Sequence, residues 1–321
     1  MNAYTIRTIA KEALKVVYAI PRQRASRRTA DLYASLDMDV SKTSPKGSAT
    51  IRRWISKKVS GSEDVDFLGH IRMKYIPSPL GCVAALGSHH AHFERELARR
   101  GMAREVHCYE LSLGAIEKAK RLCEEQDITN VMFFKQDLNK PSFARDHYDC
   151  VFAVKSLHHV ENLEGLFEAV RGVLGKGGYL FADDFFGPQR LQWTDEQLRI
   201  TNEILELLPD ELKVDLGSFR PNVFGERKRS SVEENIAIDP SEAVRSDEIL
   251  PVMKNYFEIV DCIDYGGNVY LNLFSKIMGN FRDDHPLSQV IIRLILYIED
   301  LALREGILKD SDFKFVVARA R

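Results

Sequence analysis

The strongest constraint on this chain is an alternation of two periods between Cys82 and Phe185. Short apolar runs recur there, separated by amphipathic stretches of helical spacing. GCVAAL (81–86) reads as a buried strand, and HFERELARRG (92–101) as a helix that Gly101 stops. EVHCY is a second strand and LGAIEKAKRLCEEQ a second helix, followed by the strands VMFFKQ and YDCVFAVKS. LEGLFEAVRGVLGKGG is a helix closed by glycines, and YLFADDF a fifth strand. Strands joined by helical crossovers run parallel in one sheet, with helices on both faces and right-handed connections.

After Gly187 the rhythm breaks. A helix is expected from Glu196 to Leu208, then a polar loop rich in Arg and Lys, then DPSEAVRS (239–246). The alternation resumes with the strand FEIVDCI, a long amphipathic helix from about Leu287 to Arg304, and a last strand, FKFVVARA. Residues 1–64 are expected to form a basic helical arm, and 65–321 the main domain, with an insertion at about 190–250 acting as a lid.

Charge separates the two parts. Among residues 1–60 there are 13 Lys/Arg against 4 Asp/Glu, a formal +9; the whole chain carries −2, so residues 61–321 carry −11. The main domain therefore lacks the cationic surplus of a nucleic-acid binder, and no nucleic-acid partner is expected. In the arm, Ile6, Ile9, Ala13, Leu14, Val17 and Ile20 recur near helical spacing with Arg7, Lys11 and Lys15 between them. Pro21 ends that helix, RQRASRR follows, and a second short helix is expected around Trp54. Such an arm either caps the acidic domain, touches RNA phosphates, or lies on an anionic membrane. Apolar runs are far shorter than the roughly 20 residues that span a bilayer. With no secretory leader in view, a cytoplasmic location is expected, with peripheral contact at the inner face of a membrane as an open alternative. The five cysteines are odd in number and form no CxxC pair, so neither a disulfide framework nor a cysteine zinc site is expected.

In an open parallel sheet, ligands lie beyond the carboxyl ends of the strands, where strand order reverses. The residues just after each strand are therefore the informative ones. They are Gly87, Ser88 and His89 after the first, Glu110 and Leu111 after the second, and Asp137 and Leu138 after the third. Lys155, Ser156, His158 and His159 follow the fourth, and Asp183 and Asp184 end the fifth. Glu110 is placed to accept two ribose hydroxyls, and Asp137 an adenine amine. The plainer reading of Glu110 is a helix cap. The run His89-His90-Ala91-His92 invites a metal, but His90 and His92 stand two apart and share no helical face. No metal is expected.

The ordered set Gly87, Glu110, Asp137, YDCVFAVKSLHHV and VRGVLGKGGYLF resembles class I S-adenosylmethionine-dependent methyltransferases over about residues 75–190, with closing strands after 255 in keeping. The resemblance implies an α/β, Rossmann-like, doubly wound seven-stranded sheet with an antiparallel last strand. It also implies S-adenosyl-L-methionine as cofactor, held by Gly87, Ser88, His89, Glu110, Leu111, Asp137, Leu138, Lys155 and Ser156. One departure stands out. Where the family usually has an acid and three glycines after strand one, this chain has Ala85, Gly87, His89 and Ala91. Only one glycine remains, and a non-catalytic scaffold with a degenerate donor site is the alternative reading.

Transfer from a sulfonium is an in-line displacement for which the protein aligns the acceptor and excludes water. A hydroxyl acceptor also needs a base. His158 and His159 are the candidates, with Asp184 competing. In the insertion, Arg190, Trp193, Glu242 and Arg245 are the candidate acceptor contacts, Trp and Arg because they stack on rings and bind hydroxyls. The insertion resembles bacterial methyltransferases associated with glycan loci, which implies O-methylation of a sugar, glycan or small hydroxylated metabolite.

Overall fold

The structure is a computed structural model that describes residues 44–217 and 222–321. The basic helix expected over Ile6–Ile20 and the RQRASRR segment lie outside the described residues.

The elements follow in order: α1 (Ala49–Ser60), α2 (Phe67–Lys74), β1 (Leu80–Leu86), α3 (His92–Arg99), β2 (Ala103–Glu110), α4 (Leu113–Glu124), β3 (Val131–Lys135) and β4 (Tyr148–Val154). Then come α5 (Leu163–Val173), β5 (Leu174–Phe185), α6 (Asp195–Leu207), α7 (Val232–Ile238), α8 (Ile249–Tyr256), β6 (Phe257–Gly266), α9 (Tyr270–Phe274), α10 (Pro286–Arg304) and β7 (Phe313–Ala320). The seven strands form one sheet in the order β3-β2-β1-β4-β5-β7-β6. Only β7 runs antiparallel, against both β5 and β6. This is the doubly wound sheet implied above, and its order reverses between β1 and β4.

The five inner strands, β2, β1, β4, β5 and β7, are buried on both faces over most of their length, which is why they read as nearly continuous apolar runs, while the edge strands β3 and β6 are partly exposed. Val151, Ala153, Leu180 and Ala182 pack under α5 and α8, whose Leu166, Phe167, Val170 and Met253 are fully buried. The alternate residues Val83 and Ala85 of β1, Cys150 and Phe152 of β4 and Phe181 of β5 face the opposite layer, with Leu68, Ile71, Leu97 and Ala119. A third, smaller core joins α6, α9 and α10 to Ile51 of α1.

Residues 44–60 pack on this body. Asp283 accepts from the backbone N–H of Ala49 (2.7 Å) and Thr50 (3.0 Å) and from the hydroxyls of Ser48 and Thr50. An anion thus sits at the positive end of α1, while Lys58 pairs with Asp300 of α10. Among the described residues no helix is long and apolar enough to cross a membrane.

Candidate functional site

Four strand ends build one wall of a cavity of about 420 Å³. Gly87, His89, Glu110, Leu111, Asp137, Leu138, Lys155 and Ser156 all line it, so eight of the nine residues expected around the donor meet there. Ser88, the ninth, is buried outside the lining.

Gly87 explains how the loops approach so closely. Its φ is +66°, and a Cβ on it would lie 2.5 Å from Ser156 Cβ. The one glycine kept after strand one is therefore the one that sterics demand. His89 and Ala91 hold left-handed φ values of 46° and 53° without being glycine, so the turn keeps the glycine-type path while its composition departs from it. The Glu110 carboxylate is fixed by two backbone donors, the N–H of His89 (2.7 Å) and that of Ser112 (2.8 Å). One side chain thus joins the loop after β1 to the start of α4. Asp137 accepts from Asn139 N–H (2.9 Å). Ser156 Oγ is buried and has no hydrogen-bond partner within the protein. That unpartnered hydroxyl, the acid on the wall and the close approach at Gly87 suit a polar ligand such as a nucleoside. Lys155 lines the cavity, with its ammonium bound to Asp183 (2.7 Å) and to the Tyr265 hydroxyl.

The far end of the cavity belongs to the insertion and the turn after β4. His159, Val160, Glu161, Arg190, Ile236, Pro240, Ser241 and Val244 line it. The Arg190 guanidinium donates to the carbonyls of Pro240 (2.7 Å) and Glu242 (3.2 Å), and its own N–H to Ala243 (2.7 Å). Val244 N–H donates to the His158 carbonyl (3.0 Å), which ties the insertion to the histidine turn.

Several expected contacts are corrected by burial and pairing. Asp184 is fully buried and does not reach the cavity. It accepts the backbone N–H groups of Ser156 (2.8 Å), Leu157 (2.7 Å) and Phe185 (2.7 Å) as well as His158 Nδ1. Burial alone would lift its carboxyl, but the facing His158 ring and these donors hold it down at about 2. Asp184 holds His158 from within the core, away from the cavity. Trp193 packs edge-on against Phe185 with ring centroids 5.9 Å apart, a core contact unavailable to a sugar ring. Arg245 is held by Glu164 and Glu248 (both 2.7 Å) and lies off the cavity. His158 and Glu242 also lie outside the lining, facing each other at 3.8 Å. Sequence reasoning missed Ser241 and Ile236; Ser241 stood inside DPSEAVRS, where charge drew attention to Glu242 and Arg245 instead.

The sheet order, the cavity at the switch point and a family match now converge. Residues 83–178 match the family described as "Methyltransferase domain". That stretch is thus similar to methyltransferase domains, and the sheet that carries it has the Rossmann-like, doubly wound order. No curated protein matches the chain in sequence. Solved structures do resemble it. An S-adenosylmethionine-dependent methyltransferase from Mesorhizobium loti shares 16% identity, covering 77% of this chain and 94% of that one, at a TM-score of 0.45. Phosphoethanolamine N-methyltransferase 2 of Haemonchus contortus, in complex with S-adenosyl-L-methionine, shares 14%, covering 85% and 56%, at 0.48. An O-methyltransferase from a polyketide synthase multienzyme of Brevibacillus brevis, with S-adenosyl-L-homocysteine, shares 13%, covering 84% and 72%, at 0.44. At these similarities nothing about the acceptor is carried over from them.

Proposed function

We propose that the chain methylates an oxygen of a small hydroxylated acceptor, with the donor at the strand-end half of the cavity and the acceptor at the insertion half. The observation that carries this reading is the continuity of the cavity, from Gly87, Glu110 and Asp137 to His159, Arg190 and Ser241. Glu110 would hold the ribose, Asp137 the adenine amine, and Ser156 Oγ a further polar group of the donor. S-adenosylmethionine supplies a methyl group already activated on a sulfonium. The chain's own task is to hold the acceptor oxygen in line, exclude water and take up its proton.

A hydroxyl with a pKa far above 7 must lose that proton as its oxygen pair forms the new C–O bond and the C–S pair returns to sulfur. The proton leaves at the corner formed by His158, His159 and Glu242, beside the acceptor half. Ser241 Oγ donates to Asp239 (2.7 Å) and so accepts from His159 Nδ1–H (3.0 Å), an arrangement that puts the lone pair of that ring on Nε2. Arg190, with Ile236, Pro240 and Val244, supports an acceptor that is polar at one edge and apolar at another. A sugar or glycan belongs to this class, although the buried Trp193 offers it no stacking surface. Contact of the basic arm with a membrane surface would bring a lipid-linked acceptor near, and vesicle sedimentation with and without residues 1–43 tests it.

Calorimetry with S-adenosylhomocysteine tests the donor half. The wild type should bind saturably, and Glu110→Ala should lose about 10- to 100-fold, as expected for a hydrogen-bonded charge worth roughly 1.5–3 kcal/mol. Absence of wild-type binding at millimolar ligand would refute the reading.

A further inference from the structure

We infer that His158, His159 and Glu242 form a binding site for one divalent transition-metal ion at the edge of the acceptor half. One nitrogen from each ring and one carboxylate oxygen lie within 4.8 Å of one another. Three protein ligands of this type leave coordination positions open, the pattern of a working rather than a structural ion site.

The surroundings of the two rings carry the inference further than the cluster alone. His158 gives its Nδ1 to Asp184, a carboxylate locked by three backbone N–H groups, and its Nε2 stands 3.8 Å from Glu242 Oε1. His159 gives its Nδ1 to Ser241 Oγ (3.0 Å), which passes the contact on to Asp239 (2.7 Å). Both rings thus have Nδ1 held by an oxygen that ends in a buried carboxylate. This is the outer-shell arrangement that fixes the tautomer and raises the basicity of metal-ligating imidazoles. The rings lie 4.1 Å apart at a 42° tilt, adjacent in one short 3-10 turn. Bonds of about 2.0–2.1 Å to one ion require the ligand atoms to draw in slightly from their present spacing. The Glu242 backbone is held by Arg190 at its carbonyl and by the neighbouring Val244 tie, so the approach to an ion falls to the rotamer of its side chain.

The donor set is two imidazoles and one carboxylate, which selects Zn²⁺, Co²⁺, Fe²⁺ or Mn²⁺ over Mg²⁺ or Ca²⁺. With an ion bound, His159 Nε2 is a ligand and no longer the proton acceptor; the ion instead lowers the pKa of a hydroxyl beside it, and the acceptor's proton leaves to solvent. This deepens the function proposed above and rests on it for its catalytic meaning; ion binding itself does not depend on it. Among the described residues one other cluster, Cys82, Glu105 and His107, has ligand spacing. It is less suited because the Arg145 guanidinium already pairs with Glu105.

The test is a titration of the full chain, stripped with chelator, with Co²⁺, followed by visible absorption. One equivalent should bind with d–d bands of a four- or five-coordinate ion. Glu242→Gln and His159→Ala should each weaken binding at least 10-fold, Asp184→Asn should weaken it about 10- to 100-fold, and Glu105→Gln should leave it unchanged. Far-UV circular dichroism on the same samples checks folding, and S-adenosylhomocysteine calorimetry reports separately on the donor reading. The inference is overturned if wild-type protein takes up no Co²⁺ at micromolar concentration, or if the bands survive Glu242→Gln and His159→Ala and vanish in Glu105→Gln.

Discussion

Replacing Gly87 by alanine tests whether the loop after β1 is fixed by sterics. Two costs are expected. At φ +66° an L-residue pays about 1–2 kcal/mol for the left-handed backbone. The new methyl would also sit 2.5 Å from Ser156 Cβ, well inside the roughly 3.5–4.0 Å of a carbon contact. Overpacking of this kind costs about a further 1–3 kcal/mol. Gly101 separates the two. It has a similar φ of +61°, yet a Cβ there meets nothing within 4 Å. Gly101→Ala should therefore show the backbone cost alone, while Gly87→Ala loses about 2–5 kcal/mol in urea unfolding. If the loop yields instead, part of that loss should reappear as weaker S-adenosylhomocysteine binding, because Ser156 lines the same wall. Ser156→Gly, which removes the clashing Cβ, should recover part of the Gly87→Ala loss in a double-mutant cycle. Equal stability of Gly87→Ala and Gly101→Ala, with donor affinity intact in both, would refute the reasoning.

Ser156→Ala should leave unfolding stability within about 0.5 kcal/mol, since its buried hydroxyl has no protein partner, while donor affinity falls about 5- to 10-fold by calorimetry. Ala91→Gly relieves a left-handed alanine at the start of α3 but removes a fully buried methyl, so the two nearly cancel and unfolding stability should shift by less than about 1 kcal/mol in the same assay. Glu299 offers a pH test. Burial lifts its carboxyl from 4.5 to about 7 although Gly267, Val269 and Tyr270 donate N–H groups to it. A raised folded value contributes stability that is complete below 4.5 and lost as pH rises through 7, a change of about 3 kcal/mol. Glu299→Gln should flatten the stability profile between those values, and an unchanged slope would count against the assignment.

The strands and the strand-end wall of the cavity were legible because both follow from local pattern. A parallel strand buried on two faces must be a short apolar run, and its last residue marks the ligand side, so Gly87, Glu110 and Asp137 could be named from sequence. The start of β5 was not legible. Its Gly175, Gly177 and Gly178 suggest a turn, yet the strand begins at Leu174, paired with Tyr148 across a register shift. The insertion side of the cavity was less legible still. Ile236, Ser241 and Val244 sit in a segment without period, and long-range bonds to the His158 carbonyl and to Arg190 decide where they lie. Asp184 and Trp193 looked like site residues because both flank the right strand; only the depth of the core separates an internal support from a wall.

The Arg245 clamp has a mechanical meaning. Its guanidinium grips Glu164 and the Glu161 carbonyl near the start of α5, together with Glu248 ahead of α8. Two residues earlier in sequence than Ser246, which is pinned to Gly187, Val244 is bonded to the histidine turn. The insertion side of the cavity is thus riveted at three points to the frame that carries the strand-end loops. A shift of α5 would tilt both halves together, as a lever does, instead of opening one against the other. Under the proposed function, acceptor shape would then be selected by a rigid jaw, and changes in preference should arise from side chains along 236–244 while the frame stays as it is.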